Sequence, residues 1–281
     1  MTPILSPDGV WRTAGMRPWL RPVSARPDAQ VRLICFHPAG GGTLVYRAWG
    51  DLAPPGVEVI AVQLPGREHR FSEAPPHSHE AVAAAVTAEI GGDPRPYVLF
   101  GHSLGAGLAF HTAAYAGRVG LSRPQRLIVS GALPPVVGLR PAARAGPLPE
   151  LTDSYLLEEL ARLGGTPQEV LREPALLAPF LPTLRADFLL ARGLVVADHP
   201  PIDVPITAFG GSQDAGVDPG WLGRWGELTT FPIDVQIFEG GHFYLARDPS
   251  AVVSAIAERL AAPPAQSLPT GGFEVFDLQD I

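Results

Sequence analysis

The stretch "YVLFGHSLGAGLAF", residues 97–110, joins three kinds of local structure. Its first four residues form an apolar run typical of a buried strand, and the residues from Leu104 onward are typical of a helix. Between them lies a Gly-x-Ser-x-Gly turn, the pattern of a nucleophile elbow, in which a strained strand-to-helix turn exposes a serine. The two glycines allow neighbouring backbone to approach closely. The pattern therefore predicts that Ser103 is a nucleophile at a helix N-terminus.

Short apolar runs alternate with helix-like segments along most of the chain. The runs lie at residues 31–36, 57–64, 97–100, 126–131, 204–210 and 235–238. Residues 43–52 and 78–90 are helix-like, and Asp248-Pro249 is typical of the start of a closing helix. This alternation indicates a mainly parallel sheet with helices on both faces. Together with the elbow, it predicts an α/β-hydrolase fold.

The alternation breaks between residues 150 and 193, where leucine-rich helical pieces replace strands. In the first piece Leu156 and Leu160 share an apolar face, which leaves Glu159 and Arg162 toward water. Two interpretations stay open, namely extra packing helices or a helical lid over the carboxyl ends of the strands, where α/β sheets bind ligands.

The predicted organisation has three parts. An N-terminal extension covers residues 1–28, and the α/β-hydrolase domain covers residues 29–262 and includes the lid subdomain. The tail, residues 263–281, begins with a Pro- and Gly-rich stretch that is typical of a linker.

Composition and charge narrow the class of protein. The formal net charge is −7, and all 21 basic residues are arginines without a clustered run, so we do not expect a nucleic-acid partner. Cys35 is the single cysteine, which excludes a disulfide framework and favours a reducing compartment. No apolar run has the length of a membrane span, and no secretory h-region precedes residue 30. These features predict a soluble, cytoplasmic protein without a membrane partner.

A serine nucleophile needs a base that removes its proton and a carboxylate that orients the base. In the predicted fold these residues follow one another as Ser, acid and His. His242 directly follows the last strand-like run, whereas His199 lies in a Pro-rich segment. Asp214 follows the preceding strand, with Asp218 as a nearby competitor. The predicted catalytic residues are therefore Ser103, Asp214 and His242.

The oxyanion formed during acyl transfer needs two backbone N–H donors, one after the nucleophile and one from a loop after an early strand. Leu104 supplies the first, and the loop "FHPAGGG" supplies the second, which we place at Ala39 with Gly40 adjacent. This loop lacks the Gly-Lys-Ser/Thr of a P-loop. The His77-x-His79 pair lacks a third ligand, so we predict neither a cofactor nor a metal.

Taken together, these segments resemble one family, the stand-alone type II thioesterases. These enzymes serve the polyketide and nonribosomal peptide assembly lines of antibiotic biosynthesis. The resemblance covers roughly Trp19 to Leu260 and is carried by "CFHPAGGGTLVYRAW", "VQLPGRE", "LFGHSLGAGLAF", "RLIVSGALPP", "ELARLGGTPQEVL", "LPTLRADFLL" and "FEGGHFYL". One departure is the order His37-Pro38, because the family loop often reads Pro-His-Ala-Gly-Gly. It keeps the Ala39 N–H in place and favours a structural role for His37.

The resemblance implies a serine hydrolase that cleaves an acyl chain from the phosphopantetheine arm of an acyl or peptidyl carrier protein. Its role would be editing, the removal of aberrant acyl groups from a stalled synthase. The lid would then form the acyl chamber. The lining candidates are Gly40, Tyr155, Leu156, Leu184, Phe188 and Leu189.

Carrier docking would rely on a local surface, because the chain is acidic overall. Arg172, Arg185 and Arg192, near the lid, are the candidates for that surface. Two other functions stay open. The first is a product-releasing thioesterase or cyclase, or a general esterase, of the same fold. The second is a non-catalytic binding module, which the complete triad disfavours.

Overall fold

A seven-stranded sheet lies at the centre of the computed structural model, which describes residues 3–5, 11–13, 18–135, 149–193 and 200–262. The strands are β3 (Leu20–Pro22), β4 (Val31–Phe36), β5 (Val57–Val62), β6 (Tyr97–His102), β7 (Leu127–Ser130), β8 (Ile206–Gly211) and β9 (Asp234–Phe238). Their order is β3-β5-β4-β6-β7-β8-β9, and only β3 is antiparallel to its neighbour. A separate antiparallel pair consists of β1 (Pro3–Leu5) and β2 (Trp11–Thr13).

All six strand-like runs of the sequence form strands of this sheet, so the predicted fold class is confirmed. The sequence contained no strand-like run over Leu20–Pro22, yet these residues pair with β5 at the sheet edge. Strand β3 lies within the stretch predicted as an N-terminal extension. The predicted tail, residues 263–281, lies outside the described residues.

Helices connect most of the strands. The α-helices are α1 (Trp49–Leu52), α2 (His79–Ile90), α3 (Leu104–Arg118), α4 (Asp153–Leu163), α5 (Gln168–Leu171), α6 (Pro174–Leu177), α7 (Leu181–Gly193), α8 (Tyr244–Arg247) and α9 (Pro249–Ala261). Short 3₁₀ helices cover Thr43–Tyr46, Glu68–Arg70, Ala178–Phe180 and Pro219–Leu228. The predicted helix over 43–52 is thus divided into a 3₁₀ turn and α1. The predicted closing helix is α9, in which Asp248 accepts a hydrogen bond from the Ala251 N–H and Pro249 occupies the first turn.

The sheet has two buried faces because successive side chains of a strand point in opposite directions. In β4, Ile34 and Phe36 belong to the core that includes α2 and α3, and Leu33 and Cys35 belong to the core that includes α1 and α9. Both faces are therefore covered by helices, which explains why the central strands are apolar without alternation.

Helices α4 to α7 form the segment between β7 and β8 that the sequence marked as a candidate lid. Leu156 of α4 and Leu184 of α7 meet in a small apolar cluster of their own, together with Leu151 and Leu181. Leu190, near the end of α7, belongs instead to the main core beside α2 and α3. Helix α7 is thus anchored in the domain, and α4 packs on it from outside. Across the described residues no helix combines the length and hydropathy needed to cross a bilayer.

The turn between β6 and α3 is held by contacts with neighbouring backbone. Ser103 has φ of +55° and ψ of −118°, a conformation that L-residues rarely adopt. Its N–H donates a hydrogen bond of 2.8 Å to the Ser130 carbonyl of β7. A Cβ on Gly101 would lie 2.0 Å from the Gly105 carbonyl oxygen, and a Cβ on Gly105 would lie 2.1 Å from that of Phe36. Both glycines are therefore required by close approach of the backbone.

Gly105→Ala should lower the free energy of unfolding by about 1–3 kcal/mol or more, because the new methyl group meets rigid backbone. Gly117→Ala in the same helix is the matched control. Its added Cβ has only the Arg123 guanidinium nitrogen nearby, at 3.7 Å. This change should stabilise the helix by up to about 1 kcal/mol. Urea unfolding followed by circular dichroism measures both values, and equal midpoints for Gly105→Ala and the wild type would contradict the described packing.

Candidate active site

Four loops meet at one edge of the sheet because they follow parallel strands. The loop after β4 contains Ala39, and β6 leads directly into Ser103. Asp214 follows β8, and His242 follows β9. Since β4, β6, β8 and β9 run in the same direction, their carboxyl ends lie at one edge. The fold thus brings together residues that are as much as 203 positions apart, from Ala39 to His242.

Asp214 holds His242 in a defined orientation. The Asp214 Oδ2 lies 2.7 Å from His242 Nδ1, and the aspartate and histidine side chains are 1% and 4% exposed. The other carboxylate oxygen, Oδ1, accepts hydrogen bonds from the N–H groups of Gly216 at 2.7 Å and Val217 at 3.2 Å. The carboxylate therefore accepts the Nδ1 proton, which leaves Nε2 of the neutral ring as a proton acceptor.

The Nε2 atom of His242 is buried and makes no hydrogen bond to the described part of the chain. A buried nitrogen without a partner is unfavourable in a finished core, and it is expected where a proton is to be transferred. His242 lines the same cavity as Ser103. The arrangement can therefore remove a proton from a group placed between the two side chains.

The competing residues of the sequence have other surroundings. Asp218 caps the 3₁₀ helix over Pro219–Leu228 and accepts the Gly220 N–H at 2.9 Å. His199 lies outside the described residues. Of the two aspartates, only Asp214 contacts His242.

The cavity has a volume of about 340 Å³. Its lining combines the elbow, the loops after β4, β7, β8 and β9, and helices α4 and α7. The lining residues are Ala39, Ser103, Leu104, Gly107, Gly131, Ala132, Leu133, Pro134, Pro135, Glu159, Arg162, Leu163, Phe188, Ala191, Gly216, Val217 and His242. Both predicted oxyanion donors, Leu104 and Ala39, are among these residues. Gly40 is not among them, and its N–H donates a hydrogen bond of 2.8 Å to Asp187 of α7.

Phe188 is the one predicted lid residue that lines this cavity. The others lie elsewhere, which corrects the prediction. Leu156 and Leu184 are buried between α4 and α7, with Tyr155 packed against them, and Leu189 is 57% exposed. The physical reason is that the apolar face of α4 packs on α7 and leaves its polar face toward the cavity.

The polar face of α4 contributes residues that sequence reasoning missed. Arg162 donates to Glu159 at 2.7 Å and to the Ala215 carbonyl at 3.1 Å, next to the loop that carries Asp214. Both charged residues line the cavity. The sequence indicated only that they lie opposite the leucine face, which is equally true of a residue in water.

A buried ion pair was also missed by sequence reasoning. Arg67, in the loop after β5, donates two hydrogen bonds of 2.8 Å to the carboxylate of Asp187. The side chains are 7% and 1% exposed. Their only sequence signal was their membership of "VQLPGRE" and "LPTLRADFLL", two of the segments that carried the resemblance.

Two further histidines are buried beside the site and held in the neutral form. His102 lies 2.8 Å from the Ser130 hydroxyl through Nδ1, and its ring centroid is 5.0 Å from that of His242. Burial, followed by the nearby His242, lowers the pKa of His102 well below its ordinary value. Burial, followed by the charge of Arg67, lowers the pKa of His37 to about 4. His37 also contacts the Pro38 carbonyl at 2.8 Å.

The three arginines predicted near the lid have different surroundings. Arg185 donates to the Leu151 carbonyl at 2.8 Å and pairs with Asp153. Arg192 lies over the Tyr155 ring at 5.9 Å. Arg172 makes a 3.4 Å contact with Gln168 on the same helical segment. In the described ranges, no cluster of three or more His, Cys, Asp or Glu side chains could hold a metal ion.

Comparison with known proteins agrees with this geometry. Residues 31–260 match the model of the family described as "Thioesterase domain". The gramicidin S biosynthesis protein GrsT of Aneurinibacillus migulanus is 33% identical over 245 residues, which are 86% of this chain and 93% of GrsT.

Solved structures give the same result. The type II thioesterase BorB, from the borrelidin biosynthetic cluster, is similar with a TM-score of 0.74 and 32% identity, covering 88% of this chain and all of BorB. YbtT, a type II thioesterase from the yersiniabactin NRPS/PKS pathway, has a TM-score of 0.73 and 27% identity, covering 85% and 97%. The predicted resemblance to type II thioesterases is thereby confirmed, and the chain belongs to the thioesterase domain family of thioester hydrolases.

Proposed function

We propose that this enzyme hydrolyses acyl groups from the phosphopantetheine arm of acyl or peptidyl carrier proteins and thereby edits a polyketide or nonribosomal peptide synthase. The observation that carries the proposal is the link from Asp214 through His242 to the cavity of Ser103. The relatives GrsT and YbtT, a gramicidin S biosynthesis protein and an NRPS/PKS thioesterase, support the choice of pathway.

The proposed reaction has two halves. The Ser103 hydroxyl attacks the thioester carbonyl while His242 Nε2 takes its proton, and Asp214 stabilises the imidazolium that forms. The N–H groups of Leu104 and Ala39 bind the tetrahedral oxyanion, and each such donor contributes about 2.7–4 kcal/mol to transition-state stabilisation. The pantetheine thiolate leaves with the proton from His242. Water, activated by the same histidine, then releases the acid from Ser103.

The size and lining of the cavity are suited to an acyl group, short chains included. Its volume of about 340 Å³ lies near the lower end of the usual range for small-molecule sites. Phe188, Leu133 and Val217 give it apolar walls, and Arg162 and Glu159 pair with each other at one side. The single thiol, Cys35, is buried and supports the proposed cytoplasmic setting.

Carrier proteins loaded with acetyl, propionyl, malonyl and long acyl groups test the editing role by intact-protein mass spectrometry. We expect removal of several short, non-extendable groups, because the proposed editing role requires hydrolysis of groups that the synthase cannot extend. Ser103→Ala is the control and should lower turnover by about a million-fold, as nucleophile loss does in such triads. Selective release of one long chain would instead indicate a product-releasing thioesterase, and full activity of Ser103→Ala would refute the serine mechanism.

On the acid side of its pH profile, kcat/KM should fall with the protonation of one group, the catalytic base. The base must be neutral to accept the serine proton, so activity falls as pH falls. His37, with its pKa lowered to about 4, and His102, lowered well below its ordinary value, stay neutral across pH 5–8 and add no second proton. A plot of log kcat/KM against pH should therefore have a limiting slope of about 1. A slope of about 2 in this range would show that another group titrates with the base.

A further inference from the structure

We propose that Asp187 is a positioning residue for the oxyanion hole, and that Arg67 neutralises it for that task. This inference rests on the proposed function, because it assigns a role within the same acyl-transfer site. It gives helix α7 of the candidate lid a second role, because α7 would hold the backbone of the oxyanion hole in place as well as enclose the acyl chain.

The contacts converge on one carboxylate. Asp187 Oδ2 accepts the Gly40 N–H at 2.8 Å and one Arg67 guanidinium nitrogen at 2.8 Å, while Oδ1 accepts the other nitrogen at 2.8 Å. The same Arg67 side chain donates to the Gly41 carbonyl at 3.1 Å. Asp187 thus joins helix α7 to the loops after β4 and β5, and its side chain is only 1% exposed.

This junction bears directly on the proposed donor at Ala39. The peptide group that joins Ala39 to Gly40 is planar, so a fixed Gly40 N–H fixes the orientation of the Ala39 carbonyl and limits rotation about Ala39. Gly40 has φ of +71°, and a glycine without a fixed N–H can adopt many other backbone conformations. Asp187 therefore selects one conformation of this turn, with Ala39 at the cavity wall.

Charge explains why the carboxylate needs Arg67. The Asp187 carboxylate accepts the Gly40 N–H, one residue from the proposed oxyanion donor at Ala39. Without a compensating charge, it would repel the developing oxyanion. The bidentate guanidinium pair places a compensating positive charge on both carboxylate oxygens. The aspartate can then orient the Gly40 N–H without opposing the reaction.

Fold stability alone is a poor explanation of the pair. Buried ion pairs are often no more stabilising than apolar side chains of similar volume, since both charges lose their hydration. Helix α7 is also anchored by contacts that do not involve this pair. Leu190 is buried in the main core, and the Thr183 hydroxyl donates to the Gly66 carbonyl at 2.9 Å.

The experiment compares three variants of the full chain on propionyl-pantetheine, a small thioester that needs no carrier docking. The double variant Arg67→Met, Asp187→Leu removes both charges together and keeps an apolar filling, so it should fold. We expect its kcat to fall by about ten- to a hundredfold with KM changed by less than about twofold, as misplacement of a catalytic group predicts. Asp187→Asn retains an oxygen that can accept the Gly40 N–H and should retain more kcat than the double variant.

Thr183→Val is the matched control. It removes the side-chain hydrogen bond between α7 and the Gly66 carbonyl in the loop after β5, and it leaves the Gly40 N–H bonded to Asp187. Its kcat should stay within about twofold of the wild type. Thermal melting of every variant separates loss of fold from loss of positioning. If the double variant fails to fold, the variant Arg67→Gln, Asp187→Leu replaces it, because it also removes the acceptor of the Gly40 N–H.

Two results would overturn the inference. One is a folded double variant, Arg67→Met with Asp187→Leu or Arg67→Gln with Asp187→Leu, that has the kcat of the wild type. The other is an equal loss of kcat in Thr183→Val, which would show that anchoring of α7 matters and the Gly40 contact does not. Failure of the proposed function gives a different result, because the wild type would not hydrolyse the thioester or Ser103→Ala would hydrolyse it equally well.

Discussion

The close approach of three backbone segments at Ser103 is the constraint on which the rest of the site depends. A serine with φ of +55° costs about 1–3 kcal/mol relative to a relaxed residue, so the surrounding structure must hold it there. Gly105 lies against the Phe36 carbonyl, and the Ser103 N–H is bonded to Ser130. Strands β4, β6 and β7 therefore have to be in register before the serine reaches the cavity. Packing in the core of the whole sheet therefore offsets the cost of the strained conformation of Ser103.

The buried charges around Ser103 follow a consistent pattern. The side chains of Asp214 and Asp187 are each almost fully buried. Asp214 accepts two backbone N–H groups and His242, and Asp187 accepts one backbone N–H and Arg67. His37 and His102 are buried with a backbone carbonyl and a hydroxyl as their hydrogen-bond partners, and burial keeps both neutral. Burial of a charge is costly unless it is paired, and these residues avoid that cost in two different ways. Among the described residues of the site, the buried nitrogens without a hydrogen bond are the Nε2 atoms of His37, His102 and His242, and the proposed reaction uses that of His242.

Much of this arrangement could be predicted from the sequence because it is encoded locally. The elbow and the six core strands are short local patterns, and the fold that they predict sets the chain order of Ser103, Asp214 and His242. Strand β3 was missed because three residues ending at Pro22 give no periodicity. The lining of the cavity was mostly wrong because periodicity identifies an apolar face of α4 but not what that face packs against. Asp187 could not be recognised as buried, since its partners Gly40 and Arg67 are 147 and 120 residues away.

The central claim is that the acyl group passes through a covalent bond to Ser103. The most direct measurement is rapid acid quenching of the enzyme during turnover of a short acyl thioester, followed by peptide mass spectrometry. The account predicts a transient mass increase equal to the acyl group on the peptide that contains Ser103, absent from Ser103→Ala. Steady hydrolysis with no acylated Ser103 at any quench time, or acylation at another residue, would contradict it.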